Sequence, residues 1–316
     1  MAGGAQPCPF GPDDDRFHDV GERWWATETA WFSFFHPDRS LGGWVYLLFR
    51  PNIGTVQGGV WVWDGTAFLP WEVPYSANYS SIRIEEGTDL ADASLRNGVT
   101  LRRVKPLTVY DLGYDDAPRL TLRLRFESVM EPAPYGHGKP PFLAASHFDQ
   151  LGRVTGAVRL HGQTIPIDCI SMRDRSWGPR PETRMRRLSY NFATASAGHA
   201  LFATTNPALA DDPVDHGWLI RDGRLALVAE ASRRVERHPR HGYVTAARID
   251  GHDELGRRFR LRGEAVSRIV LNRHTAITWS SLMRWDLDGD AAWGEDQDMW
   301  PVHDWSAFRR AQGAHS

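Results

Sequence analysis

The amino-acid sequence predicts an all-β fold, a barrel or sandwich repeated twice along the chain. The first observation is a recurrence of segments rich in β-branched and aromatic residues, among them GWVYLLFRPN, SIRIEE, RLTLRLRFESV and TAITWSSLMRWDL. The second is the turn chemistry between them. WDGTAF, LHGQTI, RDGRLA and DLDGDA are turn-forming sequences at expected hairpin tips, with Asp-Gly accepting positive φ at low cost. The third is a set of four internal matches in conserved order: WVYLLFRPN with ALFATTNP, GGVWVWDG with HGWLIRDG, RLTLRLRFE with RRFRLRGE, and DRSWGPR with DAAWGED. The offset shrinks from 223 − 65 = 158 between Gly65 and Gly223 to 293 − 177 = 116 between Trp177 and Trp293, as shorter loops in a second copy would produce.

Taken in order, residues 1–20 read as an N-terminal extension, 21–182 as a first barrel and 183–316 as a second. In RLTLRLRFESV, Leu120, Leu122, Leu124 and Phe126 alternate with Thr121, Arg123, Arg125 and Glu127, the pattern of a strand with one wet face. Helix is expected only in short pieces, SLRNG (94–98) and the tail HDWSAFRRAQ (303–312).

Composition narrows the function classes. With 316 residues, 41% hydrophobic and 24% charged, the chain can bury a sizeable core, and a formal charge of −2 offers no field for nucleic acid. No stretch approaches the roughly 18 apolar residues of a membrane span; WVYLLF (44–49) is too short. The N-terminus lacks the basic start and apolar core of a secretory signal, so a cytoplasmic protein is expected, with Cys8 and Cys169 as reduced thiols. A homodimer is compatible with the sequence. DLDGDAAWGEDQ starts like a calcium loop, but Ala291 and Gln297 stand where glycine and glutamate are needed. His238 and His241 have ligand-like spacing without a further ligand pair, so no metal is expected. Serine-hydrolase, phosphate-loop and dinucleotide fingerprints are absent, and no cofactor is expected.

The most chemically loaded stretch is SMRDRSWGPR (171–180). Side chains alternate along a strand, so Asp174 and Ser176 point one way and Arg173, Arg175 and Trp177 the other. Facing a dry cavity, Asp174 suits a general acid, because burial favours the protonated carboxyl. Flanked by arginines, it equally suits an ion pair, with Trp177 and Arg180 closing a barrel end. His147 and Asp149 share a face two residues apart, a base or proton shuttle with its orienting carboxylate. Glu28 sits among aromatic residues, a buried acid or an edge-strand residue, and Tyr190 with Asn191 can hydrogen-bond a substrate oxygen or belong to a core.

The segment HFDQLGRVTGAVRLHGQTIPIDCISMRDRSWGPR (147–180) resembles the central signature of the carotenoid 1,2-hydratase (hydroxyneurosporene synthase) family and its AttH-like relatives. ETAWFSFFHPDRSLGGWVYLLFRPNIG (28–54) resembles that family's first strands, and GEDQDMW (294–300) its closing segment in an uncharacterised bacterial branch. The resemblance implies two tandem lipocalin-like barrels. It also implies a lyase or isomerase that hydrates, dehydrates or rearranges double bonds in a hydrophobic terpenoid, steroid or polyketide-like molecule, without a cofactor. Read together with the residues above, Asp174 is expected as the acid, His147 and Asp149 as its assistants, and Trp177, Glu28, Tyr190, Asn191 and Arg175 as substrate contacts. Arg175 stands where the family usually has histidine, so a mechanism needing an imidazole at that position does not transfer. The competing expectations are a carrier or sensor of a hydrophobic molecule and a protein-interaction scaffold.

Overall fold

The computed structural model describes residues 8–19, 21–135, 146–179, 186–206, 212–273 and 275–313. The expected barrel boundary at 182/183 and Arg180 lie outside them. The chain divides into two compact units: Met1–Phe34, Trp44–Trp61 and Ala77–Arg180 form the first, and Phe35–Gly43, Val62–Ser76 and Pro181–Ser316 the second.

The first sheet runs β1 (Ala26–His36), β2 (Leu41–Arg50), β3 (Thr55–Trp63), β4 (Tyr75–Arg83), β5 (Asp92–Ser94) and β6 (Val99–Lys105). It continues with β7 (Val109–Asp116), β8 (Leu120–Ser128), β9 (Ala133–Pro134), β10 (Ser146–Leu160) and β11 (Gln163–Pro179). The strand order is β4-β3-β2-β1-β11-β10-β8-β7-β6-β5, with β9 on the flank of β10, so this sheet curls without closing. β8 alternates as its sequence requires: Leu120, Leu122, Leu124 and Phe126 are buried and Arg123, Arg125 and Glu127 exposed. β10 and β11 form one long hairpin, in register from Ser146↔Trp177 to Leu160↔Gln163, with β1 on its other side. Close approach to β8 requires Gly156, at φ +137, because a Cβ there would lie 2.2 Å from the Arg123 carbonyl oxygen.

The second sheet consists of β12 (Leu188–Ser196), β13 (His199–Thr205), β14 (Asp212–Arg221), β15 (Arg224–Arg237), β16 (Val244–Asp253), β17 (Arg258–Arg273), β18 (Ala276–Leu287) and β19 (Asp290–Pro301). It closes into an eight-stranded barrel when β19 pairs back onto β12. Its apolar core includes Leu201, Leu219, Ile249, Leu261, Met283 and Trp285. The fold is therefore all-β, two successive lipocalin-like units, the first an open curl and the second a closed barrel.

Turn chemistry explains most of the hairpins. His161–Gly162, Asp222–Gly223 and Asp288–Gly289 each place two consecutive residues at positive φ, the geometry favoured in tight β-hairpins. Asp64–Gly65 does not; Asp64 instead accepts a hydrogen bond from the Thr66 N–H at 2.9 Å. The helix expected in the tail is present as α1 (Val302–Ala311). The one expected at SLRNG is instead the β5–β6 turn: Asn97 Oδ1 accepts from the Val99 N–H at 3.2 Å and Gly98 sits at φ +89. Local Asn-to-backbone bonding outcompetes a helix there.

The two sheets share one closing feature. β11 and β19 are the final strands of their units and each pairs with the first, β1 or β12. On them, Arg173-x-Arg175-x-Trp177 lies opposite in charge to Asp296-x-Asp298-x-Trp300. This pattern pairs Trp177 with Trp300, an offset of 300 − 177 = 123, beside the sequence match of Trp177 with Trp293.

Candidate active site

β11 presents two different faces. Phe32, Arg173, Arg175 and Trp177 share one, opposite Phe148 and Gln150 of β10. Arg173 donates from Nε to Gln150 Oε1 at 2.7 Å, lies 3.5 Å from Asp15, and rests over the rings of Tyr110 (4.1 Å) and Phe148 (4.9 Å). Arg175 pairs with Glu28 and donates to the carbonyls of Thr29 (3.0 Å), Ser176 (3.0 Å) and Arg16 (2.7 Å). Trp177 stacks on His18 at 4.0 Å with ring planes 6° apart, and Phe10 meets the same indole edge-on. The His18 N–H donates to Glu28 Oε1 at 2.6 Å. Residues 10–18 therefore act as a strap across this face, and Glu28, Arg175 and Trp177 are engaged in holding it.

Asp174 is on the opposite face and does not share a surface with the arginines that flank it in sequence. The β10 register puts Asp149 directly across from Asp174, and His147 across from Ser176. His147 Nε2 lies 3.2 Å from Asp149 Oδ1 and 3.9 Å from Asp174 Oδ2. Asp149 is fully buried, the His147 side chain is 8% exposed, and that of Asp174 is 19% exposed. Tyr135 meets the imidazole edge-on at 4.9 Å, and its N–H donates to the His147 carbonyl at 2.8 Å. Trp31, across from Asp174 on β1, lies on the same face, as do the hydrogen-bonded hydroxyls of Thr29 and Ser176.

The local reason for this convergence is the two-residue period of a strand, which puts His147 and Asp149 on one face, together with the register that sets a second carboxylate beside them. Two carboxylates directly opposite each other repel, and an imidazolium between them offsets that repulsion. One imidazole reaching two carboxylates, one dry and one half-open, can take up a proton, hold it and deliver it outward. The same three residues offer one metal-ligating atom each, all within 4.8 Å of one another.

The remaining sequence candidates lie elsewhere. Tyr190 and Asn191 belong to the second unit, on β12. Tyr190 packs its ring against Phe202 at 4.7 Å, and Asn191 donates to Ser189 Oγ (2.9 Å) and the Ala203 carbonyl (3.2 Å). Sequence reasoning missed the strap residues Asp15 and His18, for which the run Asp13–Asp15 was the only available sign. It also missed the buried ionic network of the second unit, where Arg233 holds Asp296 and Asp212 and Arg237 holds Asp298.

Residues 11–300 match the model of a domain of unknown function, DUF7064. The chain belongs to the DUF7064 family. A comparison with curated proteins returned no match. Solved structures share the fold of this DUF7064 chain at low identity. The AttH-designated protein of Nitrosomonas europaea superposes with TM-score 0.54 at 15% identity, covering 96% of this chain and 98% of that one. Kievitone hydratase from Nectria haematococca gives 0.52 at 10%, covering 87% and 89%. CghA with Sch210972 gives 0.51 at 12%, covering 88% of each. Among the described residues of the DUF7064 chain, no helix is long and apolar enough to cross a membrane.

Proposed function

We propose that this chain is an acid–base enzyme of the hydratase or isomerase kind. It would act without a cofactor on a hydrophobic small molecule of terpenoid, steroid or polyketide-like chemistry. The observation that carries the reading is His147 reaching both Asp149 and Asp174 on one strand face, at 3.2 and 3.9 Å. The fold shared with a kievitone hydratase supports the reaction class. Asp174 is the most open of the three, and in this reading it is the group that meets substrate. In the hydration direction its carboxyl gives a proton to one alkene carbon, and water adds to the other. The proton lost by that water returns to the carboxylate, so the site is regenerated. His147 relays or holds the proton, and Asp149 fixes the ring and balances its charge. Dehydration is the same sequence reversed. A double-bond shift uses the first step and loses a different proton. Arg175, Glu28 and Trp177 act in this scheme as the clamp on the far face.

Native mass spectrometry of the protein from its own host, followed by extraction, identifies what it carries. Turnover of that compound in heavy-oxygen or deuterated water then reads the chemistry. The expected result is gain or loss of water, or solvent deuterium at a former alkene carbon, strongly slowed in Asp174→Asn. A bound compound returned unchanged would make the protein a carrier, and unaltered turnover in Asp174→Asn would remove the acid.

A further inference from the structure

We propose that His147, Asp149 and Asp174 bind one zinc-class dication, which occupies the atoms that would move the proton and so silences that chemistry. The silencing rests on the acid–base reading above; the binding does not. Zinc holds imidazole nitrogen at about 2.0–2.1 Å and carboxylate oxygen at about 2.0–2.2 Å, so neighbouring tetrahedral ligands sit about 3.3–3.5 Å apart. The measured edges are 3.2 Å from His147 Nε2 to Asp149 Oδ1 and 3.9 Å from His147 Nε2 to Asp174 Oδ2. The His147–Asp174 edge exceeds a tetrahedral one by about half an ångström, and the three ligand atoms all lie within 4.8 Å of one another. Two of the three ligands are held on one strand and the third on its directly paired neighbour, so a rigid ladder sets their spacing. Among the described residues this is the one group where three such atoms converge.

The donor set selects the ion. An imidazole nitrogen with two carboxylates suits zinc and its neighbours, whereas magnesium and calcium favour all-oxygen shells of six or more ligands. Three protein ligands leave a fourth position, and the half-open side of Asp174 is the approach to it. The His238/His241 pair, whose spacing looked more like a metal motif, is used otherwise. His238 Nδ1 accepts the N–H groups of Arg240 and His241 at 3.2 Å each, and the rings of both histidines pack on Tyr243.

The test uses untagged full-length protein, freed of metal by chelation and titrated calorimetrically with zinc chloride and, separately, magnesium chloride. Elemental analysis after desalting gives the stoichiometry. The expected result is one zinc per chain, no magnesium uptake, and affinity lowered at least about tenfold in His147→Gln, Asp149→Asn and Asp174→Asn. His238→Gln is expected to bind zinc as the wild type does. Asp174 is half-open, so its variant keeps the test alive should the two buried substitutions prevent folding. Absence of stoichiometric zinc, or zinc uptake unchanged in Asp174→Asn, overturns the site. Zinc bound at these residues with turnover undiminished overturns the silencing alone. Turnover lost in Asp174→Asn while the wild type takes up no zinc ends this proposal and leaves the acid–base reading standing.

Discussion

Arg175 and Glu28 form an ion pair with both side chains withdrawn from water, on the face of β11 opposite Asp174. Removing one partner of a buried pair strands the other charge and costs about 3–5 kcal/mol, far more than the pair contributes over a well-packed apolar substitute. Glu28→Gln should therefore lower the unfolding midpoint in urea markedly and leave the face that carries His147, Asp149 and Asp174 intact. A variant that kept its stability but lost turnover would place Glu28 in the chemistry instead.

Asp298 sets an acid limit on the second unit. Burial opposes its ionisation, but Arg237, which attracts it and donates to it at 2.6 Å, outweighs burial together with Arg233 and Arg187, so the carboxyl is held below its usual value. A carboxyl with a lowered folded value contributes stability that is present above the unfolded value, near 3.8. That stability is lost as pH falls through the lower folded one. Urea midpoints measured from neutral to strongly acid pH should fall on that limb in the wild type. In Asp298→Asn the curve should start lower and fall less steeply; an unchanged slope would show that Asp298 does not set the limb.

Tyr110 anchors the strap. Its hydroxyl donates to Asp15, 2.6 Å from each carboxylate oxygen, and the Leu107 N–H adds a 2.6 Å bond to Oδ2. Burial pushes the phenol far above its usual range, with Arg173 opposing and Asp15 reinforcing the shift. The shift keeps the hydroxyl protonated, and so a donor, beyond the pH at which a free phenol ionises. Tyr110→Phe strands a buried acceptor and should cost about 1–3 kcal/mol. Its ultraviolet phenolate titration should match the wild type until alkaline unfolding; an earlier loss of amplitude in the variant would show that Tyr110 titrates.

These relationships differ in how far the sequence exposes them. The two faces of SMRDRSWGPR follow from strand periodicity alone, and so does the pairing of His147 with Asp149 two residues away. That Asp174 joins them depends on the β10–β11 register, which is set by the His161–Gly162 turn fourteen positions down the hairpin from His147 and is not written at either site. The same register separates Asp174 from its two sequence neighbours Arg173 and Arg175. Arginines adjacent in sequence are on the wrong side of the strand, and their acids, Glu28 and Asp15, come from β1 and the strap. The SLRNG helix failed because Asn97–Gly98 favours a tight turn over a local propensity for helix. The R-x-R-x-W and D-x-D-x-W match was visible in the sequence, but charge reversal hides it from any comparison by similarity.

His147 divides its two carboxylates by burial, and that division predicts different kinetic losses. Asp174 is 19% exposed and Asp149 fully buried; in the proposed scheme the first meets substrate and the second acts through the imidazole. Loss of a proton-transferring group typically costs about 10²–10⁴ in rate. Asp174→Asn should therefore lower kcat within that range and leave KM nearly unchanged, because a proton donor binds ground state and transition state unequally. Asp149→Asn keeps shape and hydrogen bonding but removes the charge that an imidazolium needs, so it should lower kcat by a smaller factor. The double variant should fall short of the product of the two single losses, because both act through His147. Losses that multiply fully would mean that the two aspartates work independently, and the shared imidazole would then have no part in the reaction.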